Sequence, residues 1–275
     1  MTLQRAFGTK VYNMKNLDNN MKKRGQLTIF IIIAIVVVAV VLIIVFYPRI
    51  KMIISPITPS GYVEECITNE LEKIIPIVSE SGGSLNPQNT IGYDGRQVEY
   101  LCYTAEYYKT CVNQQPFLKE HVEEQIASYI RPVAEKCVND LVSDYEDRGY
   151  SVSLKRGNTS VEIVPHSLNV RLNSVITLEK DSTQYFSGFV ISRNSEIYDL
   201  VMISQSIVNW EARYGDSAPE TFMLYYPNLK IEKLKQGDGS KIYIVSERET
   251  DESFTFATRS LSWPAGYGAD EPFVK

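Results

Sequence analysis

Histidine is scarce in this chain of 275 residues, in which His121 and His166 are the only two. The short motifs G-x-S-x-G, H-E-x-x-H, Walker A and G-x-G-x-x-G are absent as well. His121 lies among glutamates on a predicted helix, which predicts a surface position, and His166 follows Pro165 at a predicted turn. The sequence therefore indicates no catalytic residue, and we expect a protein that is not an enzyme.

Metal chemistry has little support in the sequence either. No C-x-x-C pair is present, although structural zinc sites normally supply cysteine or histidine at such short spacing. Glu64 and Glu65, like Glu123 and Glu124, are adjacent carboxylates of the kind that hydrolase or calcium sites use. Adjacent residues on a helix point in different directions, so we expect solvated flanks there. No cofactor is expected.

Charge is divided unequally along the chain. Residues 1–51 carry eight basic side chains and one acidic one, a net charge of +7, whereas the remainder has 20 basic and 32 acidic groups, a net charge of −12. An acidic domain repels phosphate backbones. Nucleic acid is therefore an unexpected partner.

A long apolar run follows the basic N-terminal segment. No charged residue occurs from Gln26 to Pro48, and a run of about 20 apolar residues is the length that crosses a bilayer as a helix. The run predicts a transmembrane helix over 26–48, with the lipid bilayer as a partner. Positive residues are more numerous before it than after it, which predicts a cytoplasmic N-terminus and an extracellular C-terminal domain.

The residues at the start of this run carry a resemblance to a known family. The sequence KKRGQLTIF, from Lys22 to Phe30, resembles the class III signal peptides of archaeal type IV pilin-like proteins. The resemblance implies cleavage between Gly25 and Gln26 and a mature helix that sits in a membrane or in a filament core. Phe30 departs from the glutamate that the family usually has, and an uncleaved signal anchor that starts at Met21 is the alternative. The same run is similar to the start of uncharacterised membrane-anchored proteins of small-genome archaea.

Four cysteines follow the apolar run and none precedes it. An even number in an exported domain predicts two disulfide bonds formed in an oxidising compartment. Three pairings are possible. Cys102 and Cys111 bracket a tyrosine-rich hairpin and Cys66 and Cys137 lie on two predicted helices, which favours these two pairs.

Hydrophobic periodicity predicts an α+β fold, namely an N-terminal transmembrane helix followed by an antiparallel sheet with helices packed on one face. Helices are expected near 61–79 (capped by Ser60), 116–147 and 195–213, and strands near 90–91, 98–101, 150–154, 160–164, 168–172, 174–178, 222–225, 229–235, 241–245 and 254–257. The expected domains are a cytoplasmic basic leader (1–25), the transmembrane helix (26–48), a linker (49–60), a disulfide-stapled helical and hairpin subdomain (61–149), an antiparallel α+β subdomain (150–261) and a C-terminal tail (262–275).

Aromatic residues supply the candidate contact surface. Tyr103, Tyr107 and Tyr108 cluster in the predicted disulfide hairpin, where exposed aromatic side chains would anchor a partner. Packing within the sheet is the alternative role. Asn158 begins the N-x-S sequence Asn158-Thr159-Ser160 at a predicted turn and is a candidate glycosylation site.

We therefore expect a membrane-anchored cell-surface protein that acts by contact, through pilin-like self-assembly into filaments, adhesion to other surface proteins or envelope scaffolding. The alternative is an anchored extracytoplasmic domain that binds a small solute or a polysaccharide. An exported hydrolase is the third hypothesis. A pocket with a few convergent polar groups would favour the second hypothesis, and two facing carboxylates with displaced pKa values would favour the third.

Overall fold

The computed structural model describes residues 31–42 and 58–262. The chain divides into two compact units, Met1–Ile57 and Thr58–Lys275. The predicted processing site at Gly25 and Gln26 lies outside the described residues, as do the rest of the leader, most of the linker and nearly all of the tail. The predicted subdomain boundary after residue 149 stays a prediction.

The prediction of a transmembrane helix over residues 26–48 is corrected. Residues 31–42 form helix α1, and all of these residues are exposed. Within the described ranges, no helix is both long enough and apolar enough to cross a membrane.

Two long helices follow in the second unit, α2 (Pro59–Glu80) and α3 (Leu118–Asp147). The Oγ1 atom of Thr58 accepts a hydrogen bond from the N–H of Gly61 at 3.2 Å and caps α2, and Pro59 fits the first helical turn because its missing N–H needs no partner there. The cap is therefore Thr58 and not Ser60 as predicted. A disulfide bond between Cys66 and Cys137 joins α2 to α3, with 6.2 Å between the two Cα atoms.

The first sheet is mixed. Its strands are β1 (Thr90–Tyr93), β2 (Arg96–Tyr103), β3 (Val112–Asn113), β8 (Leu229–Lys235), β9 (Ser240–Glu247) and β10 (Ser253–Arg259). The order is β1-β2-β10-β9-β8, and β3 pairs with β2. The β2 and β10 strands run parallel, whereas the other pairs are antiparallel. The predicted hairpin turn is present, because Asp94 and Gly95 connect β1 to β2 with positive φ.

The second sheet is antiparallel. Its strands are β4 (Ser151–Lys155), β5 (Thr159–Val164), β6 (Ser167–Glu179) and β7 (Thr183–Asn194). One edge of β6 pairs with β5 and β4, and the other edge pairs with β7. The two strands predicted at 168–172 and 174–178 are the single strand β6, and β7 was not predicted. Alternation buries one face of β6 throughout.

The remaining elements are helices α4 (Ile197–Tyr214) and α5 (Pro219–Tyr225). The strand predicted at 222–225 is wrong, because those residues belong to α5, which begins at Pro219. Contacts place α3 against β4 and β5, α2 against β7 and β10, and α4 against β9 and β10. The three long helices therefore lie between two sheets, and the prediction of one antiparallel sheet is corrected to two sheets, one of them mixed. The α+β class itself is confirmed.

Candidate functional site

A disulfide bond closes the loop between β2 and β3. Cys102 and Cys111 are bonded, with 5.3 Å between their Cα atoms. The loop is held from outside as well, because the N–H of Thr104 donates to the carbonyl oxygen of Arg259 at 2.9 Å and the N–H of Tyr108 donates to that of Leu261 at 2.8 Å. Both disulfide bonds are present, which confirms the expectation of disulfide-bonded cysteines. The disulfide bond and the two backbone hydrogen bonds therefore restrain the conformation of the loop.

The three tyrosines predicted as a contact surface have different environments. Tyr107 and Tyr108 are 63% and 82% exposed. Tyr103 is half-buried in β2, where its ring meets that of Tyr100 edge-on at 5.1 Å and the guanidinium of Arg259 lies 5.8 Å from its centre. Tyr103 packs within the sheet, whereas Tyr107 and Tyr108 are free to touch a partner. Tyr108 has a φ of 62°, an unusual conformation for a non-glycine residue that points to a tightly constrained loop.

Helix α4 carries further exposed aromatic side chains. The Nδ2 atom of Asn113 donates to the Oδ1 atom of Asn209 at 3.2 Å, which fixes α4 beside β3. Trp210 and Tyr214 are 47% and 50% exposed, and their ring centres are 4.7 Å apart. We define Tyr107, Tyr108, Val112, Trp210 and Tyr214 as the aromatic surface. Its members lie on the disulfide loop, on β3 and on α4, and the hydrogen bond between Asn113 and Asn209 joins β3 to α4.

Helix α4 ends at Gly215, close to the segment that follows β10. Gly215 terminates the helix with a φ of 83°, which glycine adopts without strain. A Cβ atom at this position would overlap the side chain of Ser262. Glycine is therefore required at position 215 both by the positive φ and by the closeness of Ser262. Ser262 follows Leu261, which is hydrogen-bonded to the disulfide loop.

A buried cluster of charged groups lies at this end of α4. The carboxylate of Glu211 is fully buried, and it accepts from the Nζ atom of Lys241 at 2.6 Å, from the N–H of Ser217 at 3.1 Å and from the hydroxyl of Tyr243. Lys241 also donates to the carbonyl oxygen of Gly215 at 2.8 Å. Every strong hydrogen-bonding group of the pair therefore has a partner.

Asp216 extends the cluster towards solvent. Its Oδ1 atom accepts from Lys241 at 2.8 Å and from Lys233 at 3.0 Å. Burial raises the pKa of Asp216, but the two lysines outweigh burial and hold that pKa below its ordinary value. Burial raises the pKa of Glu211, partly offset by Lys241, and burial also raises the pKa of Tyr243 well above its usual value. A substrate cannot reach Glu211, so the cluster stabilises the fold.

His121 was predicted as a surface residue, but it is half-buried. Its Nε2 atom is 2.8 Å from the Oγ atom of Ser84, and burial lowers the pKa of the imidazole. Ser84 is only 5% exposed, so this Ser–His pair lacks the access that a nucleophile needs. His166 occupies the turn between β5 and β6, as expected, and its Nδ1 atom is 3.0 Å from the carboxylate of Glu196.

The predicted carboxylate pairs behave differently from one another. Glu64 and Glu65 are exposed. Glu124 pairs with Arg131 on the surface, whereas Glu123 turns inwards and accepts from the N–H of Ile163 at 2.7 Å. Glu123 therefore anchors α3 to β5 and is not the solvated flank that was predicted.

The candidate glycosylation site Asn158 is exposed in the loop between β4 and β5, and its Oδ1 atom accepts from the side chain of Asn173 at 2.6 Å. In the described ranges, no group of three or more His, Cys, Asp or Glu side chains is arranged to hold a metal ion. Comparisons with protein-family models, with curated proteins and with solved structures found no match.

Proposed function

We propose that this protein is an exported, cell-surface protein that acts by contact and associates with other copies of itself. The observation that carries the proposal is the aromatic surface, in which Tyr107 and Tyr108 project from a loop braced by the Cys102–Cys111 bond. Rigid aromatic side chains bind partners at little cost in conformational entropy, and they are enriched among residues that dominate interface energies.

The disulfide bonds support the proposed compartment. Disulfide bonds persist in oxidising spaces and are rare where thiols are kept reduced. Two bonds in the second unit, with no free cysteine in the described ranges, therefore favour a location outside the cytoplasm.

Helix α1 supports self-association. Its large side chains are all exposed, and they are apolar on every side of the helix. A helix that is apolar all round has no face suited to water and requires an apolar environment. Bundled copies of the same helix provide one, as the resemblance of KKRGQLTIF to pilin-like signal peptides implies. The aromatic surface is then the contact between neighbouring exported domains.

The test is cross-linking of the full-length chain on intact cells with an amine-reactive reagent, followed by electrophoresis. The double variant Tyr107→Ser/Tyr108→Ser is compared with Tyr185→Ser, which removes a 66% exposed tyrosine from β7 in the other sheet. We expect the double variant to lower the yield of cross-linked dimer about tenfold or more, because aromatic hot-spot residues contribute about 2 kcal/mol or more each.

The control variant is expected to retain the wild-type pattern. An unchanged dimer yield in the double variant, or a chain that gives only monomer at every reagent concentration, would refute the proposal. Both variants are checked for intact disulfide bonds by mass spectrometry of the unreduced protein, so that misfolding is recognised.

A further inference from the structure

A small pocket lies at the N-terminal end of α4, away from the aromatic surface. It is formed by the end of α2, the end of β7, the first turn of α4 and the start of β10, and its volume is about 80 Å³. One water needs roughly 10–15 Å³ measured in this way. The pocket therefore has room for several waters or for one molecule of a few heavy atoms.

The floor of the pocket is apolar and its rim is charged. Ile75, Ile197 and Leu200 are buried at the floor. The lining also includes Pro76, Ser79 and Ser253, together with the charged residues Glu80, Arg193, Asp251 and Glu252. A few convergent polar groups over an apolar base are typical of small-molecule sites.

Arg193 is the residue that singles out this pocket. Phe189 and Ile191 are buried on the inner face of β7, and alternation places Arg193 on that same face two residues further on. The Nη1 atom of Arg193 is shielded from solvent and has no hydrogen-bond partner among the described residues. Leaving a buried donor of a charged group unsatisfied is costly, so the guanidinium is suited to a ligand that supplies an acceptor.

The carboxylates of the rim narrow the chemistry of that ligand. Glu80 forms an ion pair with Arg96 at 3.1 Å, and the Oε2 atom of Glu252 accepts from the Ser195 hydroxyl at 2.9 Å. Asp251 is exposed and forms no hydrogen bond or ion pair with the described residues. A simple anion would be repelled by the carboxylates of Asp251 and Glu252, and a simple amine would offer no acceptor to Arg193. A zwitterion satisfies both signs of charge.

We propose that this pocket binds a small zwitterion of the α-amino acid class. The ligand carboxylate accepts from Arg193, the ammonium group faces Asp251 and Glu252, and a short apolar side chain rests on Ile197 and Leu200. This inference is independent of the contact function, because the pocket shares no residue with the aromatic surface.

Isothermal titration calorimetry on the full-length chain tests the proposal, with L-alanine as the probe and with acetate and methylammonium as probes of each charge alone. Alanine is expected to bind, and acetate and methylammonium are expected to bind about tenfold more weakly or worse, because each lacks one charge-assisted contact. Alanine that fails to bind at 10 mM (roughly −2.7 kcal/mol), or acetate that binds as well as alanine, overturns the assignment.

Three variants assign the contacts. Arg193→Met and Asp251→Asn are each expected to weaken alanine binding about tenfold, whereas Arg171→Met, an exposed arginine on β6, leaves it unchanged. Arg193→Lys keeps the charge and is expected to recover part of the affinity. Equal affinity in wild type and Arg193→Met, with the thermal unfolding midpoints matched, means that the buried nitrogen is served by water alone and overturns the proposal.

Discussion

Each end of helix α4 lies beside a charged side chain that has buried polar atoms, and the two ends differ in how the charge is satisfied. At the C-terminal end, the Glu211 carboxylate meets the Lys241 ammonium at 2.6 Å together with further donors. At the N-terminal end, Arg193 lines a pocket and its Nη1 atom has no partner in the described part of the chain. The same helix therefore has a closed polar site at one end and an open one at the other.

This difference separates a structural role from a binding role. A buried ion pair is tolerated when its geometry is good and its remaining hydrogen-bonding groups are satisfied. The Glu211–Lys241 pair meets that condition, and the Glu211 carboxylate is closed to solvent. Arg193 does not meet it, since its Nη1 atom has no partner among the described residues, and the residue lines a cavity. Burial of a charged group does not by itself identify a binding residue. A buried polar atom that lacks a hydrogen-bond partner becomes a candidate when its residue also lines a cavity.

The largest expected effect is at the closed end. Replacing Lys241 by methionine keeps the apolar stem but leaves the Glu211 carboxylate buried without its cation. We expect Lys241→Met to lower the free energy of unfolding by about 3–5 kcal/mol. The measurement is urea unfolding of the full-length chain at neutral pH.

The matched control for this substitution is Lys230→Met. Lys230 forms an exposed ion pair with Glu232 at 2.6 Å on the neighbouring strand β8. Removing an exposed pair is expected to change stability by less than about 1 kcal/mol. If the two variants lose the same amount, Glu211 does not depend on Lys241 and the distinction between the two ends of α4 is lost.

The second-largest expected effect concerns the disulfide loop between β2 and β3, whose Cys111 lies near the C-terminal end of α4. The N–H of Cys111 donates to the Ser260 hydroxyl at 3.2 Å, beside the last turn of α4. The Cys102–Cys111 bond spans a sequence separation of 9, and Cys102→Ser/Cys111→Ser is expected to lower stability by about 2.5 kcal/mol in the entropic model. Urea unfolding measures this loss.

The open end provides the control for the disulfide variant. Alanine binding beside Arg193 is expected to be unchanged when the Cys102–Cys111 bond is absent, because no residue of the disulfide loop lines the pocket. A simultaneous loss of alanine binding would show that the two ends are coupled through the helix and would contradict the comparison.

Most of the helices and strands were predictable from periodicity, since apolar residues recur at helical spacing in α2, α3 and α4 and alternate along β6. The errors have identifiable causes. Which strands pair is decided by contacts between residues far apart in the sequence. The parallel pairing of β2 with β10 and the division into two sheets therefore leave no local pattern in the sequence from which to predict them. The strand β7 was missed because Thr183–Ser187 are exposed apart from the partly buried Phe186, so they show no apolar alternation. Residues 222–225 are apolar and short, which fits either a strand or a short helix.

The polar sites were harder to predict for a different reason. Glu211 falls on the apolar stripe of α4, and Arg193 falls on the inner face of β7, so each is a charged residue at a position where periodicity predicts an apolar one. That mismatch is the signal available in the sequence, and it marks the two sites without distinguishing them. The partners of Glu211 come from β9 and from the segment after α4, whereas the carboxylates around Arg193 come from α2 and the β9–β10 loop. Only the fold brings them together.

The smallest expected effect is at the open end, and it is the sharpest contrast with Lys241→Met. Arg193→Leu removes a guanidinium that has no partner among the described residues and places an apolar side chain on the inner face of β7, beside Ile191. We expect the free energy of unfolding without ligand to stay within about 0.5 kcal/mol of wild type or to rise, since replacing poorly satisfied buried charges by apolar groups is often neutral or stabilising. Urea unfolding with and without L-alanine separates the two roles, because alanine stabilises the wild type by mass action and stabilises Arg193→Leu much less, as expected from its weaker binding. A loss of more than about 2 kcal/mol without ligand would mean that the guanidinium is satisfied within the fold, and Arg193 would then belong with Lys241 as a structural cation.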